Sequence, residues 1–598
     1  MCSINGFTWK NQKLILKMNE VTKHRGPDGT GVFFDENVSL GHNRLSIIDV
    51  SNAGDQPMIS PDGNMVIIFN GEIYNFKELK MSLMDYDFKS NTDTEVILAG
   101  FLKEGVNFFN KLNGIFSFAI WNKKENELIL ARDSHGIKPL YYSVKDEQMI
   151  FSSEIKAILE HEVERKLDID AFNIYMRVLY TPAPYTLFKD IYKMMPGEIL
   201  RYKNGKIQSR YIKSESVKSR GSLENVIDTA VERQLVSDKP VGIYLSGGID
   251  SSIILDSVSR VRDRIDTFSV GFELGENEES EKFNKDFYTA RETAKIYKTN
   301  HHELFISSAD AQETLKKVLW HMDEPVANPT SIAMYKLAEF SKKYVDVVLG
   351  GDGGDELFGG YERYRLSLLS DTYQKIIPNF IRKKLDSISK FKKINTPAGV
   401  DRYALFHFQK DDVVSKIIKD KYTNGKAIEF FRELFIPAQK NFTQQFIDVD
   451  RKTWLVDESL IRSDKMSMAH GLEARVPFLD NAVVDFASKI STSKKITLKG
   501  TKIILKNSFK NRLPKYLFNK PKIGWFSPSA KWMRHPDFFI FMKEVLNEKY
   551  YKETADLFNW KEVGKMLEKH IKNEEYNRTM LWTILSFQLW AKMYKVEL

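Results

Sequence analysis

The chain has 598 residues, 42% hydrophobic and 28% charged, a composition for a globular protein with more than one core, since a single core stops growing well short of this length. No apolar run of about 18 residues is present to span a membrane, and the opening MCSINGFTWK lacks the charged and apolar regions of a secretory signal, so a cytoplasmic protein without a membrane partner is expected. The net charge of +9 is spread along the chain, with lysine clusters at 382–393 and 494–515, and no RNP, zinc-finger or heptad pattern directs it to nucleic acid.

The single cysteine, Cys2, excludes an intrachain disulfide and makes a cysteine metal cluster implausible. Its place directly after Met1 has chemical content. Removal of the initiator leaves a thiol and a free α-amine on one residue, and an amine titrating at about 7.7 to 8.0 can take the thiol's proton directly or through water. Beyond it, short polar-glycine motifs alternate with β-rich runs: HRGPDG (24–29), GHNRLSIID (41–49), FNGEIYN (69–75) and NTDTEV (91–96). Residues 66–69, 115–121 and 127–131 read as strands, and 93–104 as a helix carrying Val96, Ile97 and Phe101 inward. MMPGEILRYKNGKIQSRYI, from Met194, reads as a hairpin turning at Asn204 and Gly205. The polar, pattern-free stretch 213–221 is the linker candidate, with the boundary near 205–220 and the domains taken as 1–205 and 206–598.

A helical pattern over 222–236 leads into VGIYLSGGIDSS at 241–252. A β-branched strand, a Ser-Gly-Gly turn and then Ile253, Ile254, Ser257, Val258 and Val261 at helical spacing make the layout of a phosphate cradle, where turn N–H groups and a helix dipole meet. The spacing and the missing lysine exclude a Walker A loop, and Ser246 is not in a G-x-S-x-G elbow. Strands at 266–270, 301–305 and 345–349 then alternate with helices at 287–297, 311–319 and 331–341. That alternation predicts a parallel sheet with helices on both faces and ligands beyond the carboxyl ends of its strands. A second glycine loop, GGDGGDELFGGY at 350–361, holds Asp352, Asp355 and Glu356 without EF-hand spacing; Asp250 and Asp355 together suit magnesium, which takes one or two carboxylates plus phosphate oxygens. Residues 370–440 and 530–598 are helical and aromatic-rich and say little about chemistry.

These strings also carry resemblances. Cys2 with RGPDG, RLSIID, NGEIYN, D-T-E and ARDSHGIKPLYY (131–142) resembles the class II glutamine amidotransferase domain, an N-terminal-nucleophile (Ntn) hydrolase, over residues 1–200. That resemblance implies that Cys2 attacks the glutamine side-chain amide and that Asn70 and the Gly71 N–H form the oxyanion hole. It further implies that Arg44, with the backbone through Leu45, Ser46, Ile47 and Ile48, holds the α-carboxylate, while Glu72 and Asp93 hold the α-ammonium.

SGGIDSS resembles the pyrophosphate loop of the ATP pyrophosphatase superfamily, and RSDKMSMAHGLEARVPFLD (462–480) with KGTKIILK (499–506) resembles the glutamine-hydrolysing asparagine synthetase family. The resemblance implies a two-domain α/β and α+β chain: an N-terminal Ntn-hydrolase αββα sandwich and a C-terminal doubly wound parallel sheet of the ATP pyrophosphatase type with added helices. By the same resemblance, Ser246, Gly247, Gly248, Ser251 and Ser252 hold pyrophosphate, and Tyr244, Leu245, Val270, Gly350 and Gly351 border ATP. Asp250 and Asp355 hold Mg2+, and Lys502 is catalytic. The implied substrates are glutamine, ATP and aspartate, in a homodimer.

Two positions depart from the pattern: Asp352 stands where the best-known members carry a glutamate, and Pro329, in a segment 322–335 without a basic residue, stands where they carry an arginine for the acceptor. The same chemistry on a uronic acid sugar in cell-surface polysaccharide synthesis is therefore the alternative. A tRNA-thiolating enzyme is more distant, since no cysteine follows Cys2, and a non-catalytic relative would have no reason to keep Cys2, Asp250, Asp355 and Lys502 together.

Overall fold

The computed structural model describes residues 2–215, 221–275, 280–385, 388–436, 441–518 and 526–598; Met1 and most of the expected linker lie outside them. The N-terminal part is built on two six-stranded antiparallel sheets. The first runs, in spatial order, Tyr192–Lys193, Tyr141–Lys145, Gln148–Ser152, Ser3–Phe7, Ser39–Arg44, Gly29–Phe34. The second runs Lys206–Tyr211, Glu198–Lys203, Glu127–Arg132, Gly114–Asn122, Met65–Ile73, Met58–Ile59.

Strand alternation sorts the side chains into layers. Along Met65–Ile73, Val66 and Ile68 pack between the sheets with Ile4, Leu40 and Phe151, whereas Ile67 and Phe69 face Val96 and Ile97 of the helix Asp93–Glu104. Helices Gln12–Val21 and Ile169–Val178 cover the other face of the first sheet through Ile15, Met18, Phe172 and Tyr175, completing an αββα sandwich. The helix Asp93–Glu104 has the bounds its spacing predicts, because Thr92 accepts from Glu95 N at 3.3 Å as N-cap and Gly105, at φ +61°, ends it. The hairpin turns at Asn204 and Gly205, both at positive φ as a two-residue turn demands. Its second strand, Lys206–Tyr211, pairs into the N-terminal sheet.

The C-terminal part holds a five-stranded, all-parallel sheet in the order Asn300–Ile306, Asp266–Phe272, Val241–Tyr244, Val347–Leu349, Glu473–Arg475. From Val241–Tyr244 the chain steps outward twice, then returns to the other side, so the strand order reverses at this strand and opens a crevice beyond its carboxyl end. Ile243, Val347 and Leu349 face Ile227, Ile253 and Ile254 on one side, and Phe268, Val270 and Val348 face Leu319, Ile332 and Ala338 on the other.

The four expected strands form, with ends shifted by one or two residues. The helix expected from Ser252, with Val261 in its apolar spacing, begins at Ile249 and ends at Val258, which leaves Val261 46% exposed. Glu473–Arg475 was not expected as a strand, since EAR has no β-branched run and its charges are buried. The featureless last stretch supplies the helix Arg578–Tyr594, which packs Phe587 and Trp590 against Phe172 and Phe188 of the N-terminal part.

Candidate active sites

Cys2 leads directly into the strand Ser3–Phe7 and is 7% exposed. Its backbone N donates to Asn70 Oδ1 at 3.0 Å, and the Asn70 amide nitrogen donates to Ser117 Oγ at 3.4 Å. Burial pushes the Cys2 thiol up in pKa, against a Leu45 backbone hydrogen bond and the Arg44 charge, so the sulfur needs a base. Gly71 is obligatory: at φ +155° any Cβ there would lie 2.0 Å from Ile115 O across the sheet.

Arg44 ends the strand Ser39–Arg44 with its guanidinium fixed by Ser51 O at 2.7 Å, Asp49 O at 2.5 Å and Asp55 Oδ1 at 2.8 Å. It borders a cavity of about 500 Å³ that Asp28, His42, Ser46 and Gln56 also line. Side chains of Leu45 and Ile47 point instead into the core with Ile227, so only their backbone is available. Glu72 and Asp93 are brought together. Burial pushes Asp93 up to about 6, although Ile73 N donates to its Oδ2 at 2.8 Å, and burial with the charges of Glu473 and Asp93 holds Glu72 well above the usual carboxylate range. Arg475, 3.7 Å from Glu72, is shared with Glu473, so the three buried carboxylates keep an excess of negative charge that an ammonium ligand would offset. His42 was missed by sequence reasoning; its ring meets Phe69 O at 3.1 Å, and burial lowers it to about 3, so it is neutral.

The second constellation sits at the crevice. Gly247, at φ +70°, brings its turn against the helix Ser280–Tyr297: a Cβ would lie 2.3 Å from Asp286 O. Gly248 is the N-cap of Ile249–Val258, and the serines tie the turn together, Ser251 Oγ with Ser246 Oγ at 3.1 Å and Ser252 Oγ to Gly248 O at 2.8 Å. Leu245 continues the strand through a bond from its N to Phe268 O at 2.9 Å, while Tyr244 and Val270 belong to neighbouring strands of the same sheet.

Gly351 and Gly354 of the second loop lie against the first, and Gly360 lies against Asp355 and Lys502. A Cβ on Gly351 would lie 3.0 Å from Asp250 Cβ, one on Gly354 2.9 Å from Asp250 Cγ, and one on Gly360 1.7 Å from Asp355 Oδ1. Gly350 N is held by Arg475 O at 2.8 Å. Lys502, at φ +53° and buried, places its ammonium between Asp250 and Asp355, 2.7 Å from Asp355 Oδ1. No set of three or more His, Cys, Asp or Glu that would cage a metal exists among the described residues. Asp250 Oδ1 nevertheless is buried without a hydrogen-bond partner in the structure, which fits a cation shared between two carboxylates and phosphate oxygens.

Asp352 takes a hydrogen bond from Ser459 Oγ at 3.1 Å; burial pushes its carboxyl up in pKa while Arg462 works against that. The stretch 462–480 packs against the N-terminal part through buried charges. Asp464 accepts from Arg25 Nη2 at 2.8 Å and Lys138 Nζ at 3.1 Å, and Arg25 Nε in turn holds the carbonyl of Cys2 at 3.2 Å. Lys465 meets Asp323 at 2.7 Å, and Arg475 pairs with Glu473 at 2.5 Å and lies 3.7 Å from Glu72. All are buried, and such pairs specify an arrangement more than they stabilise it, since desolvation offsets most of the attraction.

Residues 222–592 match the asparagine synthase family and residues 1–212 the glutamine amidotransferase domain. The chain is 34% identical to glutamine-hydrolyzing asparagine synthetase 1 of Bacillus subtilis (strain 168) over 98% of its own length and 94% of that protein's. It is 30% identical to glutamine-hydrolyzing asparagine synthetase 3 of the same organism, over 91% of this chain and 89% of that one. It is 26% identical to amidase chry2 of Gibberella zeae, over 86% and 85%.

Proposed function

This chain belongs to the glutamine-hydrolysing asparagine synthase family, an ATP-dependent ligase with glutamine as amido donor, and from that premise we propose that it makes asparagine from aspartate. The observation that carries the reading is the convergence of Asp250, Asp355 and Lys502 at the crevice of the parallel sheet. The strand Lys206–Tyr211, paired into the N-terminal sheet, supports a division a few residues beyond the expected boundary at 205, with glutamine hydrolysis assigned to residues up to 211 and synthesis to residues from 222.

Once Met1 is removed, the Cys2 amine, oriented by Asn70 Oδ1, takes the proton of its own thiol, and the sulfur attacks the glutamine amide carbon. The Asn70 amide nitrogen and Gly71 N–H stabilise the oxyanion, Arg44 binds the substrate's carboxylate, and Glu72 with Asp93 binds its ammonium. The protonated Cys2 amine gives its proton to the nitrogen as the C–N bond breaks, and water then cleaves the thioester to glutamate and the free thiol; the ammonia crosses the buried interior between the sites, since in water it would be protonated and lose its nucleophilic pair.

At the second site Ser246, Gly247, Gly248, Ser251 and Ser252 cradle pyrophosphate, and Tyr244, Leu245, Val270, Gly350 and Gly351 border the nucleotide. Asp250 and Asp355 are the residues that would hold magnesium, whose charge would neutralise the departing pyrophosphate. Lys502 turns from the carboxylates to the phosphate as charge develops there, and Asp352 adjoins the adenylated acceptor. A homodimer in the cytoplasm is the proposed setting.

Pro329 in place of an arginine favours a second reading, a uronic acid sugar as acceptor. AMP release with glutamine and ATP, measured on aspartate and on uronic acid sugars, decides between them: aspartate-dependent AMP is expected, and its absence overturns the first reading.

A further inference from the structure

The segment 322–335 carries no lysine or arginine, yet one cation reaches it from elsewhere in the chain. Arg462, in the first turn of the helix Ile461–Met468, donates from Nη1 to Thr330 Oγ1 at 2.9 Å. Its guanidinium lies along Glu458, with Nε to Oε1 at 3.0 Å and Nη2 to Oε2 at 3.2 Å, and Glu458 also accepts from Asn328 Nδ2 at 2.7 Å. Thr330 is oriented by donating to Asn328 Oδ1 at 2.8 Å. A π-helical turn, Leu455–Leu460, sets Glu458 and Ser459 side by side, and Ser459 hydrogen-bonds Asp352 of the nucleotide loop. The pair therefore stands one residue from the adenylation loop.

Unlike Arg25 and Arg475, whose side chains are sealed at 0% and 1% exposure, Arg462 keeps 12% and Glu458 7%. Of five guanidinium N–H groups, those to Glu458, Thr330 and the Met334 sulfur at 2.8 Å leave one on Nη2. Glu458, with three bonds accepted, keeps one lone-pair direction on Oε2. One cationic donor and one anionic acceptor, side by side, complement a carboxylate beside an ammonium.

We propose that Arg462 and Glu458 form the head-group site for an α-amino acid acceptor, Arg462 taking the α-carboxylate and Glu458 the α-ammonium, so that the side-chain carboxylate reaches Asp352 and the nucleotide. This rests on the aspartate reading above and narrows it. A zwitterion adds no net charge to a pair that is already neutral, whereas a uronic acid, whose one carboxylate is the group to be adenylated, brings neither a carboxylate for Arg462 nor an ammonium for Glu458. Arg462 replaces, from another helix, the cation that Pro329 does not supply.

The test is AMP release from L-aspartate, succinate (no amine) and β-alanine (no α-carboxylate), for wild type and the variants Glu458→Gln, Arg462→Met and Thr330→Val. Wild type is expected to prefer aspartate over succinate by about 100-fold in kcat/KM, because succinate brings a carboxylate to Arg462 without the ammonium that would offset it beside Glu458. Glu458→Gln should shrink that preference about tenfold and leave the preference over β-alanine, and Arg462→Met should do the reverse, with KM for ATP unchanged. Preferences that move less than about twofold in both variants, with folding verified by circular dichroism, overturn the inference. If Arg462→Met does not fold, Glu458→Gln decides alone, and Thr330→Val, which loosens the guanidinium, should weaken aspartate binding in the same sense. No AMP from aspartate in wild type overturns the aspartate reading itself and this inference with it, whereas AMP from aspartate with unmoved preferences overturns only the inference.

Discussion

The two half-sites handle charge in opposite ways. In the proposed glutamine site Glu72 and Asp93 are buried together with their carboxyls pushed up, and the one arginine beside them, Arg475, is shared with Glu473, so negative charge is in excess. In the ATP site the cation is already in place, Lys502 between Asp250 and Asp355. The first is therefore built open for an ammonium, whereas the second is neutralised from within and has to be rearranged by the ligand that enters. A substrate that is free in solution suits the first design; a site that must not act until nucleotide arrives suits the second.

The sharpest break between the halves is expected from Cys2→Ala. Glutamine-dependent asparagine formation should fall by at least about 10³-fold while added ammonia restores AMP release, assayed side by side. Equal losses with both nitrogen sources would show that the halves are not separable. Lys502→Met should do the converse, lowering ammonia-dependent AMP release by about 10² to 10³-fold and sparing glutaminase turnover.

Gly354→Ala sharpens the comparison inside the second site: its Cβ, 2.9 Å from Asp250 Cγ, displaces a proposed metal ligand, and kcat/KM for ATP should drop about tenfold or more. Asp93→Asn probes the first site's excess of anion. Its folded pKa of about 6 lies above the ordinary 3.8, so its contribution to stability is full below pH about 4 and is lost as pH rises through about 6. Asn should thus leave the protein at least as stable at pH 7 by thermal unfolding, while KM for glutamine rises about tenfold; the wild-type KM should itself rise as pH falls below about 6.

Much of the local structure around the candidate sites was legible because each motif is local. Strand, glycine turn and helix around 241–258, the helix Asp93–Glu104 with its Thr92 cap, and the Asn204–Gly205 hairpin follow from period, caps and turn chemistry within a few residues. The strand Glu473–Arg475 was not legible, because its residues have no strand signature and are placed by Val347–Leu349 and by buried ion pairs. Nor was the helix end at Val258, since Val261 continues the apolar spacing yet finds no surface to cover.

The sequence by itself determined the family and with it the class of reaction, because the motifs that carry the resemblance are short strings that are read without the fold. Tertiary structure alone decided which of them meet. Asp250, Asp355 and Lys502 converge because Gly351, Gly354 and Gly360 have no side chain to hold the loops apart, and Arg462 reaches the segment that lacks a cation because one helix packs against another. Such approaches depend on what is absent between distant segments, and no local pattern in the chain records that.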